Sequence, residues 1–244
     1  MGELIAVLSG KGGTGKTSIC AALAEALAEA GNQVLCIDCD VGLRNLDISL
    51  GLSQLSSLSF WDVCQGSYPL DHATQHPAFP SLHFLTAPVN CPADEVDTTA
   101  FVEMLRLARS RYHFIFLDAP AGIDAGFRLV SQYADRILLV TGSDPASIRD
   151  AGRAGEILEL MGKENIRLIV NRINKKMVSA MELTVDDIMD QAGLPLIGIV
   201  PEDTNITLAA AFGTPLLKYT RRGAAAACRR IARRLCGFHV PIRL

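Results

Sequence analysis

Gly10-Lys11-Gly12-Gly13-Thr14-Gly15-Lys16-Thr17 stands between an apolar run, Leu4 to Leu8, and an alanine- and leucine-rich stretch, Gly15 to Ala30, that stops at Gly31. The order is strand, glycine loop, helix, and the loop satisfies G-x-x-x-x-G-K-[ST] where that motif carries a mechanism. Glycines let consecutive backbone N–H groups converge on phosphate oxygens, and the helix that follows offers the positive end of its dipole. The residues from Gly10 to Ser18 are therefore the candidate nucleotide-binding loop, with Lys16 reaching the β- and γ-phosphates. The Thr17 hydroxyl is placed to ligate Mg²⁺. A merely flexible turn would rarely put lysine and threonine at those two offsets behind a strand.

Outward from the loop, short apolar runs alternate with amphipathic segments. Leu4 to Leu8, Gln33 to Ile37, Leu82 to Thr86, Phe114 to Leu117, Ile137 to Val140, Arg167 to Val170 and Leu196 to Val200 read as seven buried strands. Helical spacing covers Gly15 to Ala30, Ala93 to Ser110, Ile148 to Met161, Met181 to Ala192 and Leu208 to Phe212. Gln54 to Pro80 is irregular, with a short helix near Trp61 and then a surface excursion. The pattern predicts one α/β domain over residues 1–244, a Rossmann-like P-loop NTPase with a mostly parallel sheet and helices on both faces. Ligands of such sheets bind at the carboxyl ends of the strands.

Two strand ends carry acids. Val34 to Ile37 runs into Asp38-Cys39-Asp40-Val41-Gly42-Leu43-Arg44-Asn45-Leu46-Asp47, where Asp38 and Asp40 share one face and can approach a metal or an attacking water. Phe114 to Leu117 leads to Asp118-Ala119-Pro120-Ala121-Gly122, a carboxylate ending an apolar strand as a Walker B aspartate does.

Lys11, at the second position of the loop, is an unusual place for a cation unless it faces phosphate. With it, GKGGTGKT resembles the deviant Walker A loop of the MinD/ParA family of ATPases. D-x-D-x-G-L-R-N-L-D and D-x-P-A-G are similar to the two switch segments of the family's MinD branch. The resemblance covers nearly all of the sequence. It implies ATP/ADP and Mg²⁺ as cofactors and a homodimer in the ATP state, with Lys11 touching the partner's nucleotide. It implies Lys11, Lys16 and Asp40 as catalytic residues, Asp40 orienting the hydrolytic water. Asp38, Asn45, Asp118, Gly122 and Asp150 become switch residues, and Thr17, Asp38 and Asp118 the metal set. Asn171 and Arg172, with Pro201-Glu202-Asp203, would frame adenine; no N-K-x-D guanine signature is present. Arg149-Asp150 after Ser147 resembles a segment whose aspartate is available to pair with Lys11, and reads equally well as helix surface. A division inhibitor and an activator are the partners implied for a switch that regulates septum placement. The alternatives are a ParA-like positioning ATPase that binds DNA or another cargo, and a non-catalytic module that holds a structural nucleotide.

Composition bounds the rest. A formal charge of -3 and 6% aromatic residues give no global argument for nucleic acid. Seven cysteines without an export signal are expected as reduced thiols in the cytoplasm, and Cys36-x-x-Cys39 as filling of a strand end. From Lys218 onward there are eight Lys or Arg residues and no acid. Cys228, Ile231, Ala232 and Leu235 form one helical face and Arg229, Arg230, Arg233 and Arg234 the other. Such a helix can dock on its own domain, the preferred reading, or lie on anionic lipid. The family implies a further membrane-targeting helix beyond a segment like 235–242, and without it the expectation is weak peripheral contact with the inner face of the membrane at most.

Overall fold

The computed structural model describes residues 1–88, 97–174 and 184–243. Its centre is an eight-stranded sheet in the order β3-β4-β2-β5-β1-β6-β7-β8. The strands are β1 Glu3–Leu8, β2 Val34–Asp38, β3 Thr74–His76, β4 Phe79–Leu85, β5 Phe114–Asp118, β6 Arg136–Thr141, β7 Ile166–Ile173 and β8 Leu196–Pro201. All pairings are parallel except β3 with β4. Both faces of the parallel part are covered, which is why β1 and β2 read as unbroken apolar runs rather than alternating ones.

One face packs on α4 Thr98–Arg111, α5 Ala125–Tyr133, α6 Pro145–Leu160 and α7 Val185–Ala192, through Phe101, Met104, Phe127, Ile148 and Ile188. The other packs on α1 Lys16–Glu29, α2 Leu46–Ser49, α8 Asn205–Ala211, α9 Leu216–Tyr219 and α10 Gly223–Leu235, through Ile19, Leu23, Leu27, Leu216 and Ile231. A further short helix, α3 Phe60–Cys64, begins with a capping box made by Ser59 and Asp62. Cys36 and Cys39 fill opposite cores, one thiol on each side of the sheet. Among the described residues no helix is long and apolar enough to cross a membrane.

The seven expected strands are present, and β3 is an eighth. Its three residues, Thr74, Gln75 and His76, are too few and too polar to show a period. They sit at the sheet edge, where an antiparallel hairpin with β4 needs no apolar face. α6 begins at Pro145 rather than Ile148, because Asp144 caps it by accepting from the Ser147 amide and proline occupies the first turn. α5 and α9 carry no reading in the sequence analysis. The expected helix starts at Ala93 and Met181 lie outside the described residues. α10 is docked: Ala224, Ala225, Cys228, Ile231 and Leu235 are buried, and Arg234 donates to the carbonyls of Ile197, Val240 and Pro241. Its apolar face is thus committed to α1 and β8 rather than free for lipid.

Candidate nucleotide site

The glycine loop follows β1 at the carboxyl edge of the sheet. Gly12 to Ser18 line a cleft with Ser9, Asp40, Leu43, Asn45, Ser49, Ala121 and Arg172. α1 starts from Gly15 in the left-handed conformation, φ 85°, and no side chain caps it. Its first amides are therefore left for an anion. A Cβ on Gly15 would stand 2.4 Å from Asn171 Nδ2, and one on Gly10 2.4 Å from the carbonyl oxygen of Asp150. Close approach demands both glycines, and the left-handed backbone demands Gly15 a second time.

Beneath the loop lies a buried charge cluster. Lys16 Nζ reaches Asp118 Oδ1 at 2.6 Å, with only 6% and 1% of the two side chains exposed, and approaches Thr17 Oγ1 at 3.2 Å. β2 and β5 are neighbours, and their register sets Asp38 directly opposite Asp118. Asp38 Oδ1 accepts from the Asp40 amide at 2.9 Å and Oδ2 from the Leu46 amide at 3.2 Å. Burial, with Asp118 adding like-charge repulsion, pushes Asp38 up to about 7. Burial also raises Asp118, against the pull of the Lys16 ammonium. Two buried carboxylates, only one of them paired with an ammonium, favour additional positive charge.

Three buried polar atoms at the loop, Thr14 Oγ1, Asn171 Oδ1 and Asp118 Oδ2, have no hydrogen-bond partner among the described residues. The orphaned Asp118 oxygen beside the Thr17 hydroxyl suits a hard cation with oxygen ligands. Among the described residues no three His, Cys, Asp or Glu side chains converge as a metal cage. A divalent ion here would draw the rest of its shell from phosphate and water, which is how Mg²⁺ is usually bound.

The remaining sequence candidates divide. Asp40, Asn45 and Arg172 border the cleft. Gly122, φ 96°, donates its amide to the Ser9 carbonyl at 3.2 Å, which ties the Asp118 loop to the end of β1. Asn171, 1% exposed, donates from Nδ2 to the Thr14 carbonyl at 2.8 Å, so it grips the loop itself. Pro201 and Glu202 lie beside β7: Pro201 pairs with Ile173, the Glu202 amide donates to the Ile173 carbonyl, and the Glu202 carboxylate accepts from Asn174 Nδ2. Asp203 holds the chain that follows β8. Its Oδ1 accepts from the Asn205 amide and Oδ2 from the Ala224 amide, so it fastens the starts of α8 and α10.

Lys11 separates the two readings left open for Asp150. Its ammonium pairs with Asp144 at 3.2 Å, not with Asp150, whose backbone instead packs on Gly10. Asp144 is held at about 2: what burial it has raises it, but the Ser147 hydroxyl and amide and then Lys11 outweigh that. The Asp-Pro pair that opens α6 marks Asp144 in the sequence as an N-cap, but nothing there announces Lys11 as its partner.

This arrangement defines the class, an α/β P-loop nucleotide-binding protein whose buried Lys16 shares its loop with a second, half-buried lysine, Lys11. Comparison with known proteins supplies the family. Residues 5–216 match the CobQ/CobB/MinD/ParA nucleotide binding domain. The septum site-determining protein MinD of Synechocystis is 37% identical over 99% of this chain and 92% of its own length. Among solved structures, the Aquifex aeolicus MinC:MinD cell division protein complex superposes with a TM-score of 0.91 at 36% identity, covering 99% of this chain and 98% of that one. The Pyrococcus horikoshii septum site-determining protein MinD complexed with Mg-ADP gives 0.83 at 28% identity, with 96% of each chain covered. The chain belongs to the MinD/ParA family, in its MinD branch.

Proposed function

We propose that residues 1–244 act as one Mg²⁺-dependent ATPase domain of the MinD type, an ATP-dependent dimerising switch in septum placement. What carries the proposal is the buried Lys16–Asp118 pair beneath a glycine loop and an uncapped helix start. The amides from Gly12 to Ser18 would bind the phosphates, and Lys16 would exchange Asp118 for the β- and γ-oxygens. Thr17 and Asp118 would hold Mg²⁺, with Asp38 behind them through water; the ion supplies neutralisation of charge building on the phosphates. Asp40, at the cleft rim, orients the attacking water. Orientation without further activation suits a slow ATPase whose turnover a partner stimulates.

Lys11 reaches the nucleotide of a second copy, so that ATP closes the dimer. The Aquifex MinC:MinD complex supports an inhibitor as partner of that state, and family membership supports an activator. The protein works in the cytoplasm, and with the apolar face of α10 packed on α1 and β8 its contact with the inner face of the membrane is weak and peripheral. Asn171 and Arg172, and Pro201 with Glu202, border the adenine.

Titration calorimetry with ATP and Mg²⁺ tests the reading. Saturable binding is expected for the wild type, weakened about 100-fold or more in Lys16→Ala, with hydrolysis lost. Folded wild-type protein that gives no heat with Mg·ATP overturns it.

A further inference from the structure

Only two non-glycine residues among those described have positive φ, Arg172 at 55° and Arg44 at 48°. A side chain rarely rests there unless its surroundings hold it, and such residues gather at switches and ligand clamps. Arg44 lies in the segment 40–46, which has two anchors. Its base is Asp38, whose carboxylate takes the Asp40 amide with one oxygen and the Leu46 amide with the other. Its tip is Arg44, whose Nε and Nη2 both donate to Thr86 Oγ1, at 3.2 and 3.1 Å.

Thr86 is a fixed post. It is 3% exposed, its amide donates to the Leu58 carbonyl at 2.9 Å, and its carbonyl accepts from the Phe60 amide at 2.9 Å. Asp40 and Asn45, which border the cleft, stand between the two anchors. Both guanidinium bonds end on one neutral hydroxyl. That is a weaker hold than a bidentate carboxylate would give, so the tip can be released while the base stays closed.

We infer that Arg44 is a positioning residue for hydrolysis, and that its bond to Thr86 holds segment 40–46 so that Asp40 and Asn45 face the phosphate loop. This rests on the ATPase reading above. Arg44 touches no reacting atom; it sets where Asp40 places the water, a geometry to which the chemical step is far more sensitive than ground-state binding is.

The test uses Thr86→Val, which keeps the shape and removes the acceptor, and Thr86→Ser, which keeps the hydroxyl. Arg44→Gly places at φ 48° the residue most at ease there, and the double variant R44G/T86V completes a cycle. Mg·ATP affinity is measured by calorimetry and single-turnover hydrolysis by product release. Affinity within about twofold of wild type is expected throughout. The hydrolysis rate is expected to fall about tenfold in Thr86→Val and in Arg44→Gly, to recover in Thr86→Ser, and to fall no further in the double variant. An unchanged rate in Thr86→Val, no recovery with serine, a fully additive double variant, or an equal loss of affinity overturns the inference. Wild-type protein that binds Mg·ATP without turnover overturns the ATPase reading instead, and this one with it.

Discussion

Glu25 lies on the face of α1 that meets α9 and α10, with no exposed surface. One carboxylate oxygen accepts from the Leu217 amide at 2.9 Å; the other has no partner among the described residues. Arg229 is close, but its guanidinium is taken by Glu29 and the Leu217 carbonyl. Burial therefore raises Glu25 to about 8, against the bonds from Leu217 and Leu216 and the field of Arg229. An acid whose folded pKa lies above its unfolded value leaves the folded state holding the extra proton. Its stabilisation is fully present below the unfolded pKa and is lost as pH rises through about 8. At about 1.4 kcal/mol per pH unit, the loss between pH 5 and pH 8 is on the order of 2–4 kcal/mol. Glu25→Gln removes that dependence while keeping an acceptor for Leu217. Urea midpoints of variant and wild type are expected to be near each other at pH 5 and to diverge by pH 8.5, with the variant higher; a constant difference across that range contradicts the assignment. Glu25 was not legible in the sequence, where a glutamate in an alanine-rich helix reads as solvated surface. The P-loop residues were legible because their chemistry is fixed by spacing along the chain. Asp144 was not, because the pairing with Lys11 spans 133 positions and depends on where β6 delivers the start of α6.

Among the elements, α10 shows most clearly how packing decides between two sequence readings. Its apolar stripe and arginine face favour domain docking but leave lipid open until the partner surface is known. β8 supplies that surface at Gly198, where a Cβ would stand 2.3 Å from Ile231 Cγ1 and 2.6 Å from Cδ1. The missing side chain is the socket for Ile231. Gly198→Ala is expected to cost about 1–3 kcal/mol by overpacking, and Ile231→Ala about 2–5 kcal/mol by leaving a cavity. The double variant refills the socket from the other side, so its loss should be at least about 1 kcal/mol smaller than the sum of the two. Denaturant melts of the four proteins measure this, and strict additivity would mean that the two residues do not meet. β3 was lost to sequence reading for a related reason. It is a strand only because β4 presents an edge, and nothing in three polar residues announces that.

At the scale of the whole molecule, the parallel sheet was legible because its central strands are buried on both faces and so read as unbroken apolar runs. Assembly was legible only through Lys11, and the structure makes its behaviour in assembly testable. The Lys11–Asp144 pair is 37% and 49% exposed, which puts its worth at roughly 0–1 kcal/mol. Such a pair holds the lysine loosely, and a triphosphate in a second copy can take it without a large penalty. Three consequences separate this from a lysine that serves its own subunit. Lys11→Ala is expected to leave monomer stability within about 0.5 kcal/mol of wild type. It should abolish the doubling of mass that light scattering registers for wild type with ATP and Mg²⁺, but not with ADP. Asp144→Asn removes the competing carboxylate and leaves an N-cap on α6, so the ATP dimer should tighten, by no more than about fivefold, a gain that shrinks as salt screens the pair it replaces. If Lys11→Ala still dimerises with ATP, or wild type has one mass in every nucleotide state, the lysine acts within its own chain and the sandwich arrangement is wrong.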